Sequence, residues 1–215
     1  MRVISGTAKG RTLKSPGEAT RPITDRVKTS LFNILAAHVR DANVLDLFAG
    51  AGSVGIEALS RGARAATFVE LDGQALRAIR ANLELTRLEA HAKIVRLDVF
   101  KFIRSFPVIA SREAAKQSPI RPLEIASSQR SLLAMTRFDL IYIAPPQYKE
   151  LWAETLKALD TRDLLAADGI IVAQIHPKEY KELELTQFEL YDQRKYGSTM
   201  LCFYQVRPAN ESPAE

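Results

Sequence analysis

One cysteine in 215 residues rules out an internal disulfide, and one thiol with three scattered histidines makes no metal-ligand cluster. That cysteine, Cys202, sits inside the apolar run MLCFYQV and is expected in the core rather than at a reactive site. No stretch approaches the ~18 apolar residues of a membrane-spanning helix. The N-terminus also lacks the apolar segment of a secretory signal. These absences lead us to expect a cytoplasmic protein that uses no metal.

What is present suits one domain with appendages: apolar residues make up 47% of the chain. The formal charge is +5, with a pI near 9.4. Its distribution is uneven, because residues 1–40 carry eight basic side chains against Glu18 and Asp25, while the remainder is close to neutral. A basic end on a neutral body favours a polyanionic partner.

Along the chain, residues 2–5 and 11–14 alternate around GTAKG and predict a hairpin with Lys9 at its tip. Thr24 is placed to N-cap a helix starting at Asp25, whose Val27, Leu31, Ile34 and Leu35 share one face. From Asn43 onward strands and helices alternate. NVLDLF, AATFVEL, AKIVRL, FDLIYI and GIIVAQI read as strands, with helical segments between them. Such spacing implies right-handed crossovers and a doubly wound parallel sheet. The last two strands, around FELYDQRKY and TMLCFYQV, are joined by a short turn and predict an antiparallel pair at one edge. Residues 107–137 break the rhythm with a net charge of +3 and are expected to form a mobile inserted loop. Residues 208–215 are expected to be a disordered tail.

DLFAGAGSVG places Gly50, Gly52 and Gly55 as G-x-G-x-x-G between a strand and a helix, with Glu70 twenty residues after Gly50. That is a nucleotide-binding pattern in its proper context. A pyrophosphate would be repelled by Asp46, four residues before the first glycine, whereas a cationic ligand would not. Asp46, Glu70 and Asp98 follow three successive strands. They suit S-adenosylmethionine, which carries a sulfonium and an ammonium and no phosphate, better than NAD. The fourth strand ends in IAPPQY, residues 143–148. Two prolines fix the turn and leave carbonyls as rigid acceptors, which can hold an exocyclic amine towards a methyl donor.

In this order, LDLFAGAGSVGIEALSRGA, FVELD, RLDVF and APPQY resemble a class I S-adenosylmethionine-dependent methyltransferase. More specifically, ISGTAKGRTL, TRPITDRVKTSLFNIL and RKYGSTMLCFY resemble the RsmD family, from about Arg2 to Val206. The resemblance implies an α/β fold of the Rossmann-like kind. Its sheet would be mostly parallel and seven-stranded with an antiparallel C-terminal edge strand, preceded by an N-terminal β-hairpin and helix. It implies an RNA-binding extension at 1–40 and a methyltransferase domain at 41–207; a monomer is expected because the basic surface leaves little obvious apolar patch. The activity implied is methylation of a guanine 2-amino group in 16S rRNA or the small ribosomal subunit. The cofactor would lie on Asp46, Phe48, Ala49, Gly50, Gly52, Glu70, Leu71, Asp98 and Val99, with Glu70 at the ribose hydroxyls and Asp98 at the adenine amine. Catalysis would fall to Ala144, Pro145, Pro146, Gln147 and Tyr148.

One departure stands out. The family pattern is Asp-Pro-Pro-Phe/Tyr, but here Ala144 occupies the acid position and Gln147 displaces the aromatic to Tyr148. Gln147 is therefore expected to supply the missing amide oxygen, with Tyr148 stacking on the base. Phosphates would meet Arg2, Lys9, Arg11, Lys14, Arg21, Arg26 and Lys28, with Arg194 and Lys195 near the rim. His176 reads as a loop residue. Two other functions stay open: an adenine amino-methyltransferase, and a non-catalytic cofactor- and RNA-binding assembly factor, which the alanine motivates. An NAD-dependent dehydrogenase lacks a matching catalytic constellation.

Overall fold

The computed structural model describes residues 1–15, 17, 23–108 and 137–208. The expectations for the loop at 109–136, the tail at 209–215 and Arg21 lie outside those residues. Helix α1 spans Asp25–Ile34 and α2 spans Ala36–Val39. Strand β1 (Asn43–Leu47) leads through the glycine loop to α3 (Ser53–Ser60). Next come β2 (Ala65–Glu70), α4 (Gly73–Thr86), β3 (Ala92–Arg96) and α5 (Val99–Arg104). The remainder is β4 (Phe138–Ile143), α6 (Leu151–Leu159), β5 (Leu165–Ile175), β6 (Phe188–Tyr196) and β7 (Thr199–Val206).

Helix starts follow local chemistry. Thr24 Oγ1 accepts the Val27 N–H, Asp72 accepts from Gln74 and Ala75, and Asp98 accepts from Lys101, so α1, α4 and α5 each have a side-chain cap. The strands form one seven-stranded sheet in the order β3-β2-β1-β4-β5-β7-β6. The first five are parallel, and β7 runs antiparallel to both β5 and β6. Chain order reverses between β1 and β4, which sets the switch point there. The central strands β2, β1 and β4 are buried on both faces and read as nearly continuous apolar runs. Val44, Phe68, Leu140 and Val172 meet α1, α3, α4 and the N-terminal segment on one face. Leu45, Val69, Ile141 and Cys202 meet α5 and α6 on the other.

Two elements differ from the sequence expectation. Strand β5 begins at Leu165 rather than Gly169, with a shift in register against β4 between Phe138 and Leu140. The N-terminal hairpin closes through a single bridge, Arg2 with Thr12, rather than a two-stranded ladder. Across it Val3 donates to the Arg11 carbonyl, Gly10 to Val3 and Leu13 to Met1, and side chains of the domain take further backbone groups. Ile4 and Ser5 donate to the Glu57 carboxylate at 2.7 and 3.0 Å, and Lys14 exchanges two hydrogen bonds with the Asn82 amide. Gly6, at φ +84°, lies so close to α3 that an added Cβ would sit 1.7 Å from the Ser60 carbonyl oxygen. The extension is therefore bolted along α3 and α4.

Candidate active site

The carboxyl ends of β3, β2, β1 and β4 fall in one row, since Val95, Val69, Leu47 and Ile143 are in register. Asp98, Glu70, the glycine loop and the Ala144–Tyr148 turn therefore follow each other along one edge. With strands ~4.8 Å apart, that row is about 14 Å long, the reach of an extended nucleoside with an amino-acid arm.

The glycine loop is shaped by positive φ at Phe48 (58°), Gly50 (56°) and Gly52 (75°). Gly55 serves packing: a Cβ there would sit 2.4 Å from the Phe68 ring, and its N–H donates to Asp46 Oδ2 at 3.0 Å. Asp46 is buried between Phe68 and Tyr142 on neighbouring strands. Burial pushes its carboxyl up to about 7; the Glu70 charge adds to this and the Gly55 N–H opposes it. Glu70 ties the second strand to the loop. Its Oε2 accepts from Gly50 N–H at 2.8 Å, and its Oε1 accepts from Leu71 and Asp72 N–H at 2.8 and 2.9 Å. Leu71 is 57% exposed beside it, an apolar surface at the same edge. Asp98 is half-buried and caps α5 through one carboxylate oxygen, and Val99 is buried behind it.

On β4 the chain leaves the sheet at Ala144, whose N–H points to the Leu47 carbonyl at 3.4 Å. Pro145 and Gln147 are half-buried, while Pro146 and Tyr148 are exposed. Tyr148 adopts φ +62° and packs its ring against His176 with centroids 5.4 Å apart. Deeper in the sheet, the Tyr142 hydroxyl donates to Gln174 at 2.5 Å. The structure thus brings together along one edge the residues expected at the cofactor and at the methyl acceptor.

The basic residues divide. Arg2, Lys9, Arg11, Lys14, Arg26, Arg194 and Lys195 are exposed. Arg2 pairs with Asp25 and Arg194 with Asp192, both at 2.9 Å. Arg194 and Lys195 stand at the same edge as the Pro-Pro turn, because Lys195 pairs with Met200 and Met200 with Ile175 at the end of β5. Lys9 lies in a turn anchored at Ser60, the end of α3 away from the glycine loop, about 12 Å along that helix. Lys28 corrects the sequence expectation: it cannot meet a phosphate. Its side chain is fully buried, its ammonium donates to the Arg2 carbonyl (2.5 Å) and Ser53 Oγ (3.1 Å), and Glu57 lies 3.6 Å away. Spacing on a basic helix did not reveal that this lysine faces inward.

His176 and Glu179 contact Tyr148 in the turn after β4, a neighbourhood the sequence did not signal. They lie after β5, and only the strand order brings them against the β4 turn. The reading of His176 as a loop residue is correct in place but leaves out its ring contact.

Comparison with known proteins agrees with this geometry. The family model described as "Conserved hypothetical protein 95" matches residues 1–113 and 116–205. A Bacillus subtilis relative named "Putative rRNA methyltransferase YlbH" is 37% identical over 210 residues, covering 96% of this chain and all of the relative. "Ribosomal RNA small subunit methyltransferase D" of Escherichia coli is 29% identical, covering 100% of this chain and 94% of that protein. The solved structure called "Putative methyltransferase yhhF from Escherichia coli" superposes with a TM-score of 0.74 at 27% identity, covering 96% and 97% of the two chains. Fold, motif order and full-length similarity coincide, and the chain belongs to the Conserved hypothetical protein 95 family, the RsmD family that its sequence resembles.

Proposed function

We propose that this protein transfers the methyl group of S-adenosylmethionine to the exocyclic 2-amino group of one guanine in 16S rRNA. Family membership makes it an S-adenosylmethionine-dependent rRNA methyltransferase; the choice of guanine N2 is the step beyond. The observation that carries the proposal is the Pro-Pro turn of β4 standing beside the glycine loop at the switch point. The cofactor would lie along the row, its adenine near Asp98 and Leu71, its ribose on Glu70 and its cationic end over Asp46. That order puts the methyl at Ala144–Tyr148.

The chemistry asked of the chain is modest. The sulfonium is a good leaving group, so the protein must hold the amine and turn its lone pair towards the methyl. Ala144 provides no side-chain acceptor, so the amide oxygen of Gln147 accepts one amine N–H and the carbonyl of Ala144 or Pro145 accepts the other. Tyr148 offers the exposed ring for stacking. The methyl carbon gains a bond to nitrogen as its bond to sulfur breaks, and the ammonium product then loses a proton to water. Arg2, Lys14, Arg26, Arg194 and Lys195 hold backbone phosphates around the opening, and the guanine enters unstacked from its helix.

The test is transfer from labelled S-adenosylmethionine to small ribosomal subunits that lack the modification, followed by nucleoside analysis. Labelled N2-methylguanosine is expected. Labelled N6-methyladenosine would move the assignment to an adenine amine. Tight cofactor and particle binding without label would make the protein an assembly factor, with Ala144 as the cause.

A further inference from the structure

We infer that Glu179 is a positioning residue for the methyl-accepting turn, acting through Tyr148 from the segment that follows β5. The inference rests on the function proposed above, since it assigns work to the same turn.

Two residues of the β4 turn, Tyr148 and Glu150, adopt positive φ, at 62° and 54°. A side chain with a Cβ holds that region only where the surroundings impose it. Each has an external tie to the same short segment. The Tyr148 N–H donates to Glu179 Oε1 at 2.6 Å, and the other carboxylate oxygen accepts the His176 N–H at 3.2 Å. Lys181 Nζ meets Glu150 Oε2 at 2.6 Å. Rings complete the contact, with Tyr148 on His176 and Tyr180 stacked on Trp152 at 6.4 Å.

The brace is itself fixed. Pro177 opens a single 3-10 turn over Pro177–Glu179, and the Lys178 N–H donates to His176 Nδ1 at 3.1 Å. Glu179 and His176 thus cap each other, which aims the carboxylate while Tyr148 uses its free oxygen. One carboxylate thereby joins two loops across neighbouring strands. Of the ties, the bond to Tyr148 is short and charge-assisted, and it acts directly on the residue with the exposed ring. The Lys181–Glu150 pair lies in solvent and contributes less. With prolines at 145 and 146 already rigid, the remaining freedom of the turn lies at 147–150, where Glu179 grips it.

Glu179→Ala, Glu179→Gln, Tyr148→Gly and the Glu179→Ala/Tyr148→Gly double variant test this on small ribosomal subunits with saturating S-adenosylmethionine. Glu179→Ala is expected to lower kcat roughly 10- to 100-fold, the range for losing a hydrogen bond to a charged group. The KM for the particle should move less than about threefold, because phosphate contacts elsewhere set it. Glu179→Gln keeps an oxygen for the Tyr148 N–H and should restore most of the rate. In the Tyr148→Gly background, where the ring and the strain are gone, removing Glu179 should cost less than about threefold. A kcat for Glu179→Ala within twofold of wild type, or losses that multiply in the double variant, would overturn the inference. Amide exchange at Tyr148 separates this from the activity itself. If the wild-type protein methylates no guanine, the proposed function fails, yet faster exchange at Tyr148 in Glu179→Ala still supports the brace and unchanged exchange removes it.

Discussion

Asp46 sits under the glycine loop with its carboxyl raised to about 7, so its charge is decided near neutral pH. The direction follows from linkage. An exposed aspartate in the unfolded chain loses its proton near ~4. Between there and 7 the folded protein holds a proton that the unfolded chain has released, so Asp46 supports folding below about pH 4, and that support is lost as pH rises to 7. Cofactor binding runs the other way, because a sulfonium and an ammonium need the ionised carboxylate. S-adenosylmethionine affinity is therefore expected to rise up to about tenfold per pH unit below pH 7 and to level off above it. Asp46→Asn should bind weakly and without that slope. Calorimetric Kd values from pH 5.5 to 8.5 check this, and a flat profile for the wild-type protein removes Asp46 from the cofactor's cationic end. The location of Asp46 was legible from its spacing to Gly50 alone. Its depth was not, since burial depends on Phe68 and Tyr142 from two other strands.

Among the elements, helices α1 and α3 make the point about hidden partners. Lys28 of α1 and Glu57 of α3 are both fully buried, and Arg61 joins them, its Nε 2.7 Å from Glu57 and its guanidinium 4.8 Å over the Phe32 ring. Desolvation pulls the Lys28 ammonium below its ordinary pKa, with Glu57 opposing. Glu57 also takes the Ile4 and Ser5 N–H groups, so one carboxylate holds the basic arm onto the domain. Glu57→Ala strands two amides and two cations together. It is expected to cost 3 kcal/mol or more, on the order of the ~3–5 kcal/mol for breaking a buried pair. Lys28→Met should cost less, because Glu57 keeps Arg61 and both backbone donors. Urea unfolding of the two variants gives the order, and the reverse order would show that Lys28, not Glu57, anchors the arm. The helix itself, its Thr24 cap and its apolar stripe were readable because they are local. Which charge on it turned inward was not, since the deciding partner lies 29 residues along the chain on another helix. The same limit hid the brace at His176–Lys181, which only the β4–β5 neighbourhood brings to the turn after β4.

For the molecule as a whole, charge position matters more than total charge. The sequence placed the basic excess in the first 40 residues, and the structure spreads what is exposed there from the glycine-loop end of α3 to its far end. Arg2 and Lys14 flank the domain where the hairpin is tied to Asp25 of α1 and Asn82 of α4, whereas Lys9 lies at the Ser60 end. Helix α4 adds Arg77 and Arg80, exposed on the helix that holds Lys14, to a body that composition alone made look neutral. An RNA spanning this surface should bind with steep salt dependence, each neutralised phosphate adding ~0.7 to 0.9 to the slope of log K against log salt. Lys14→Ala is then expected to weaken binding of the small subunit and reduce that slope by about 1, leaving stability unchanged. Lys28→Met should leave the slope as it is while lowering stability, because a buried ammonium touches no phosphate. Filter binding at several salt concentrations separates the two lysines. Equal slopes for wild type and Lys14→Ala would detach the arm from the RNA. That would move the phosphate contacts to Arg194 and Lys195 beside the turn, leaving the extension as a structural clasp on α3 and α4.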